Sequence, residues 1–328
     1  MKRILPFMLC ALAACSGGSS ADFSLADCDG LDEFQAPAGV DKWVYWLSDP
    51  VLADLAASDA DLVVIDYSNY GSVDGEFTSD DLDVLHDEGK LAVAYMSIGE
   101  AEVDRFYWDP AWVDGDGALT DEAPSWLTEP NPDFPDNYKV QYWESDWQDV
   151  IFGDTAGDDK SYLDRIIDQG FDGVYLDIID AYEYFGPDGE SGVDRESAGN
   201  DMIAFVKAIA DYARETRGVA DFLVFPQNGL AIMEEDDGCD FAQVSNGVGS
   251  EDNFYFGDEE NDNDLDLDHY AEVSPFLTAL VDEGKMILAV DYVQDADKQS
   301  DFYQRALDAG YLPYVGEREL SQLYSQPE

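Results

Sequence analysis

Histidine, cationic side chains and long apolar runs are what this sequence has least of, and each shortage removes a class of function. Two histidines in 328 residues, His86 and His269, are too few for an imidazole-built zinc centre and leave a Ser-His-acid triad little to stand on. Polysaccharide deacetylation by a histidine-held metal falls with them, and no metal or cofactor is expected. Sixteen Lys plus Arg stand against 74 Asp plus Glu, a formal charge of −58. Nucleic acid, which needs a basic footprint, is therefore not a partner. No G-x-G-x-x-G or phosphate loop follows any predicted strand, so nucleotide-binding sheets lose their usual support. No segment after the first fifteen residues is apolar enough to cross a membrane.

What is abundant is carboxylate. Self-repulsion at this density is relieved by screening, whose range shrinks to roughly 3 Å near 1 M salt, so a protein working in brine is expected. Attraction of a cationic substrate is a second, compatible reading.

The start of the chain reads as an export signal. Lys2 and Arg3 precede the short apolar stretch Ile4–Leu12, and Leu12-Ala13-Ala14-Cys15 resembles a bacterial lipobox. Residues 1–14 are expected to be removed, Cys15 to carry lipid, and 15–37 to tether a domain spanning 38–328. An ordinary signal peptide with an incidental cysteine is the alternative. Ser16 after the cysteine leans towards the outer membrane in that resemblance. The expected membrane contact is the lipid alone, and the chain is read as a monomer. Cys28 and Cys239 then remain, either as one disulfide or as two free thiols.

Eight short, mostly continuous apolar runs are expected as parallel strands: Trp43–Leu47, Leu62–Tyr67, Leu91–Ser97, Gly173–Ile178, Asp221–Phe225, Phe241–Ser245, Met286–Tyr292 and Tyr311–Val315. Helical stretches lie between most of them. Four junctions, ending in Gly89, Gly170, Gly284 and Gly310, place glycine where a helix closes in the left-handed conformation. The repeated unit predicts an α/β fold, a single (β/α)8 TIM barrel. The connection Tyr107–Val150 is long and holds five of the seven tryptophans, a Trp-rich insert after strand 3 expected to wall a cleft. Asp258–Asp268 has the composition of a calcium loop but lacks the Gly and terminal Glu of an EF-hand, and is read as a solvated acidic loop.

Acids gather at the C-terminal ends of these strands. Asp66, Glu100, Asp177, Glu251 and Asp291 would converge on one barrel mouth. Asp66, Asp177 and Asp291 directly follow apolar runs, where a carboxylate is expensive unless paired or functional. Trp46, Tyr67, Tyr95, Tyr175, Tyr182, Tyr255 and Tyr292 sit among them. Aromatic faces stack on sugar rings while carboxylates and amides bond hydroxyls, which suits a polysaccharide cleft.

The motifs themselves carry a resemblance. Tyr95-Met96-Ser97-Ile98-Gly99-Glu100-Ala101-Glu102 with Asp104-Arg105 and Tyr107-Trp108 is similar to the signature of the endo-α-1,4-polygalactosaminidase family, glycoside hydrolase family 114. Gly170–Asp177 with Asp180-Ala181-Tyr182, Gln227-Asn228-Gly229, and Gly249–Asp252 with Phe254-Tyr255 resemble further motifs in order. The resemblance implies a (β/α)8 barrel hydrolysing α-1,4-linked galactosamine polymers, with catalytic Asp177 and Glu251. In such chemistry one carboxylic acid protonates the leaving oxygen while a carboxylate attacks or activates water. Asp177 is assigned as nucleophile or base and Glu251 as acid, with the reverse order of roles left open. Asp66, Tyr67, Tyr95, Glu100, Tyr175, Asp180, Tyr182, Gln227, Asn228, Tyr255, Asp291 and Tyr292 are the expected substrate contacts. The alternative is a non-catalytic polysaccharide-binding surface lipoprotein on the same barrel.

Overall fold

The computed structural model describes residues 23–153 and 160–326. The expected signal, Cys15 and most of the tether's first part therefore lie outside the described residues.

Eight parallel strands form the centre. They are β1 (Trp43–Tyr45), β2 (Leu62–Asp66), β3 (Leu91–Ser97), β7 (Gly173–Asp177), β8 (Leu223–Pro226), β9 (Gly247–Glu251), β10 (Met286–Asp291) and β11 (Leu312–Val315). The first five pair in the order β1-β2-β3-β7-β8, and the last three in the order β11-β10-β9. A parallel bridge from Gln227 to Gly249 connects β8 to β9, and the Trp43 indole donates to Leu312 O at 2.8 Å, laying β1 beside β11. Helices α1 (Leu52–Ala57), α2 (Ser79–His86), α3 (Ser145–Ile151), α4 (Tyr162–Gln169), α5 (Ala181–Phe185), α6 (Ala198–Asp211), α7 (Gly238–Val244), α8 (Leu267–Asp282) and α9 (Ala296–Asp308) fall between strands.

The sequence pattern locates seven of the eight strands. Phe241–Ser245 is the exception: Phe241, Ala242 and Val244 are the buried face of α7, and the sixth parallel strand is Gly-Val-Gly-Ser-Glu, 247–251. A short apolar run fits a buried helix as well as a strand. The true strand has no apolar run because its neighbours leave no room for side chains. A Cβ on Gly247 would meet Met286 O at 2.0 Å, and one on Gly249 would meet Tyr175 Oη at 1.9 Å. The four junction glycines all have positive φ, from 77° at Gly89 to 95° at Gly170. The lysines after two of them, Lys90 and Lys285, are buried and donate to backbone carbonyls on the strands' N-terminal side.

Between β3 and α3 lies an antiparallel sheet of β4 (Glu100–Glu102), β5 (Leu127–Pro130) and β6 (Asn137–Val140), in the order β4-β6-β5. Trp108, Trp112, Trp126 and Trp147 pack successively edge-on or tilted, with centroids 4.8–5.4 Å apart, and Trp126 and Trp147 are buried. Trp126 and Trp147 belong to the segment's own core, and Trp108 and Trp112 pack against it half-buried. The chain before β1 crosses the opposite end: Asn246 donates to Gln35 O and Lys285 to Phe34 O. Cys28 is bonded to Cys239 on α7, with Cα atoms 5.4 Å apart. Lys298 Nζ donates to the carbonyls of Asp262 and Asn263, so an ammonium organises the acidic loop. No described helix is long and apolar enough to cross a membrane.

Candidate active site

Strand register builds the site. Side chains alternate across a strand, so residues two apart share a face. Tyr175 packs inward against Trp43 and Tyr45, with centroids 6.4 and 5.1 Å away, and Asp177, two residues on, shares that face. Gly249 faces Tyr175 from β9, so Glu251 two residues later points to the same interior. Glu251 raises the proton affinity of Asp177, and both acids do so for Tyr175 and Tyr45 beneath them. The two carboxylates therefore occupy one electrostatic neighbourhood.

Each acid is held by neutral donors. Tyr95 Oη donates to Asp177 Oδ2 at 2.6 Å and the Ile178 amide to Oδ1 at 2.8 Å. Asn228 donates to Glu251 Oε2 at 3.0 Å while its own carbonyl accepts from the Glu251 amide at 3.0 Å. The Tyr292 hydroxyl donates to Glu251 Oε1. Burial first, and then the Glu251 charge, push the Asp177 carboxyl from 3.8 up to about 8. At neutral pH the Asp177 carboxyl consequently keeps its proton.

Backbone strain marks the same place. Ile178, Asn228 and Asp252, the residues just past β7, β8 and β9, have φ of 60°, 56° and 51°. For a β-branched isoleucine this left-handed conformation is a genuine outlier, held because it aims the Ile178 amide at Asp177. It also requires Gly99, where a Cβ would lie 2.3 Å from Ile178 O.

The other expected contacts divide. Tyr95, Asn228 and Tyr292 touch the two acids, and Tyr175 lies beneath them with a buried hydroxyl that has no protein partner. Gln227 is buried and accepts from Tyr45 Oη at 3.4 Å. Asp180 is exposed on the loop after β7, and desolvation by the surrounding protein raises its carboxyl, with Lys139 opposing. Glu100 is buried against Asn131 at 2.9 Å and Lys139 at 3.4 Å, with one oxygen unpartnered.

Five of the expected contacts are engaged elsewhere in the structure. Asp66 is buried and bound to Arg105 at 2.7 Å and to the Ser68 amide, a structural ion pair. Tyr67 is buried, donates to Gly71 O and packs on Tyr162. Asp291 is fully buried on the face opposite Glu251, where the Asn253, Phe254 and Tyr255 amides fasten the loop after β9 to it. Tyr255 donates to Asp301 on α9, and Tyr182 is buried with its hydroxyl on Glu183. Tyr45 and Arg318 are at the site without having been expected. Tyr45 was readable as an inward aromatic of the first strand, whereas Arg318 lies in the irregular chain after β11 and carries no pattern. Among the described residues, no three His, Cys, Asp or Glu side chains are grouped to hold a metal ion.

Comparison with known proteins fits this geometry. A structure of the glycoside hydrolase domain of PelA from Pseudomonas aeruginosa aligns over 87% of this chain and 98% of its own, with a TM-score of 0.62 and 18% identity. Ega3 from Aspergillus fumigatus, in complex with galactosamine, aligns over 87% and 94% with a TM-score of 0.58 and 19% identity. At such identities the likeness establishes the fold, a TIM-barrel-like glycoside hydrolase architecture around parallel strands. The sequence goes further: the model of glycoside-hydrolase family GH114 matches residues 29–328, and the chain belongs to that family. Its relatives include an uncharacterized protein of Thermotoga maritima, 38% identical over 85% of this chain and 81% of that one. Another, from Methanocaldococcus jannaschii, is 37% identical over 86% and 77%.

Proposed function

We propose that this family GH114 member is an exported hydrolase that cuts α-1,4-linked galactosamine-containing polysaccharide with Asp177 and Glu251, in the mouth of a closed (β/α)8 barrel. The observation that carries the reading is the pair itself: two inward carboxylates coupled by charge, with Asp177 pushed up to about 8. Glycoside hydrolysis needs a carboxyl that holds a proton at working pH beside a second carboxyl, and the raised Asp177 supplies the first. One of the two carboxyls attacks, or activates water, at the anomeric carbon while the other donates a proton to the departing oxygen, and the raised Asp177 carboxyl is the one that holds a proton at neutral pH. Tyr95, Asn228 and Tyr292 hold the two groups in place.

The galactosamine bound to Ega3 supports the choice of sugar, and a chain of charge −58 favours a polymer bearing ammonium groups. Cys15 lipidation anchors a monomer to the cell envelope, the outer membrane being favoured. The described chain enters along the strands' N-terminal ends at Phe34 and Gln35.

Incubating the mature protein with deacetylated and acetylated galactosamine polymers at several salt concentrations tests the reading. Oligosaccharides should be released by the parent protein and not by folded Asp177→Asn or Glu251→Gln. Polymer retention without release would make the protein a binding lipoprotein, and undiminished release by Asp177→Asn would refute the mechanism.

A further inference from the structure

Sixteen cationic side chains serve the whole chain, and one of them stands behind Glu251. Arg318 follows β11 and is held by its backbone as well as its side chain. Its amide donates to Asn261 Oδ1 at 3.1 Å and its Nε to Glu260 O at 3.1 Å. The terminal Nη2 donates to both oxygens of Asp252, at 2.7 and 2.8 Å. The guanidinium carbon lies 4.2 Å from the centroid of the Tyr292 ring, and the Tyr292 hydroxyl donates to Glu251. Asp252, next to Glu251 in the chain, has the strained φ of 51° that turns its carboxylate towards Arg318. Only 13% of the Arg318 side chain and 18% of the Asp252 side chain are exposed, so their charges are poorly screened.

We propose that Arg318 is a positioning residue for Glu251, acting through Asp252 and Tyr292. It neutralises the adjacent Asp252 carboxylate, and its cation over the Tyr292 ring makes that hydroxyl a better donor. Both act on the groups that stand directly against Glu251. The groups facing Glu251 are few. Asp177 and the more distant Asp180 come from the β7 side, Asn228 from β8, Tyr45 and Tyr175 from within, and Tyr292, Asp252 and Arg318 from the β10–β11 side. Arg318 is the cation on its side, whereas Lys139 serves Asp180 and Glu100. The proposal rests on Glu251 being the working carboxyl.

The test is a carboxyl 13C titration of protein labelled at the glutamate side chain, with the Glu251 resonance assigned by its loss in Glu251→Gln. In Arg318→Gln the Glu251 inflection should move up by roughly 0.5–1 pH unit, as loss of a nearby opposite charge demands. Adding Asp252→Asn to Arg318→Gln should bring it back, and Arg318→Lys should fall between. Asp252→Asn alone, which keeps the cation, should move the inflection down, so the idea remains testable even where Arg318→Gln does not fold. Superimposable titrations in folded variants, with only the melting temperature lowered, would reduce Arg318 to a structural clamp and overturn the proposal. The readout needs no substrate. A parent protein that fails to hydrolyse polymer defeats the proposed function, whereas unmoved titrations in an active enzyme defeat this inference alone.

Discussion

Asp177→Asn should inactivate the protein and make it more stable at alkaline pH. The Asp177 carboxyl is displaced from 3.8 to about 8, first by burial and then by Glu251. An acid whose native value lies above its unfolded one holds more protons folded than unfolded between the two values. Stability therefore falls as pH rises through that window, and the loss is complete above about 8. At about 1.36 kcal/mol per pH unit the ceiling is on the order of 5 kcal/mol. Charge shared with Glu251 and relaxation of the site should leave about 2–3 kcal/mol of that. Asparagine occupies the same volume, can still accept from the Ile178 amide, and carries no charge to desolvate. At about 2–3 °C per kcal/mol for a domain of this size, Asp177→Asn should melt about 4–8 °C above the parent at pH 8.5. The gap should close towards pH 5, where the parent carboxyl is protonated as well. Asp252 and Asp291, raised to about 6 and about 7, are present in both proteins and drop out of the difference. Thermal unfolding of the two proteins from pH 5 to 8.5 measures it. A variant no more stable than the parent at pH 8.5, or a gap independent of pH, would refute the strained pair.

Gly249→Ala should destabilise by about 1–3 kcal/mol, as overpacking does, and reduce turnover more than tenfold, because its Cβ would meet Tyr175 Oη at 1.9 Å and push Glu251 out of line; chemical denaturation alongside initial rates checks both. Cys28→Ser with Cys239→Ser, opening a crosslink between residues 211 apart, should cost about 2–5 kcal/mol on denaturant unfolding. It should leave kcat unchanged, since neither cysteine is among the groups that hold the two acids. With a charge of −58, the melting temperature should climb steadily from about 0.05 to 2 M KCl. A flat curve would remove the brine interpretation.

Fold class was readable because buried parallel strands are apolar on both faces, and because glycine alone closes a helix in the left-handed region without penalty. β9 was not readable. Its glycines are dictated by Met286 and Tyr175 in other strands, and a close approach of that kind leaves no local pattern. The tryptophans of the β4–β6 segment illustrate a related limit: composition announces aromatic surface, but only packing decides which rings are buried against one another, as Trp126 and Trp147 are. Arg318 lies 67 positions from Glu251 in irregular chain, where nothing periodic could connect them.

Among acids at strand ends, position proves a weaker guide than the partner each has acquired. Asp66 has Arg105, Glu100 has Lys139 and Asp252 has Arg318, while Asp291, turned to the opposite face by one residue of register, has three backbone amides. Each is a buried charge or near-charge compensated in the way that makes burial tolerable. Asp177 and Glu251 receive hydrogen bonds only from a tyrosine and an amide group apiece. Among the described residues neither has a directly bound cation, and the Glu251 charge helps push Asp177 up. A developing oxocarbenium ion, or an ammonium on the sugar, is a cation that would offset that charge. The exposed acids of this chain need no such explanation, since water solvates them. What singles out these two is that the fold encloses them, strains the residues beside them, and withholds the arginine or lysine it supplies to their neighbours.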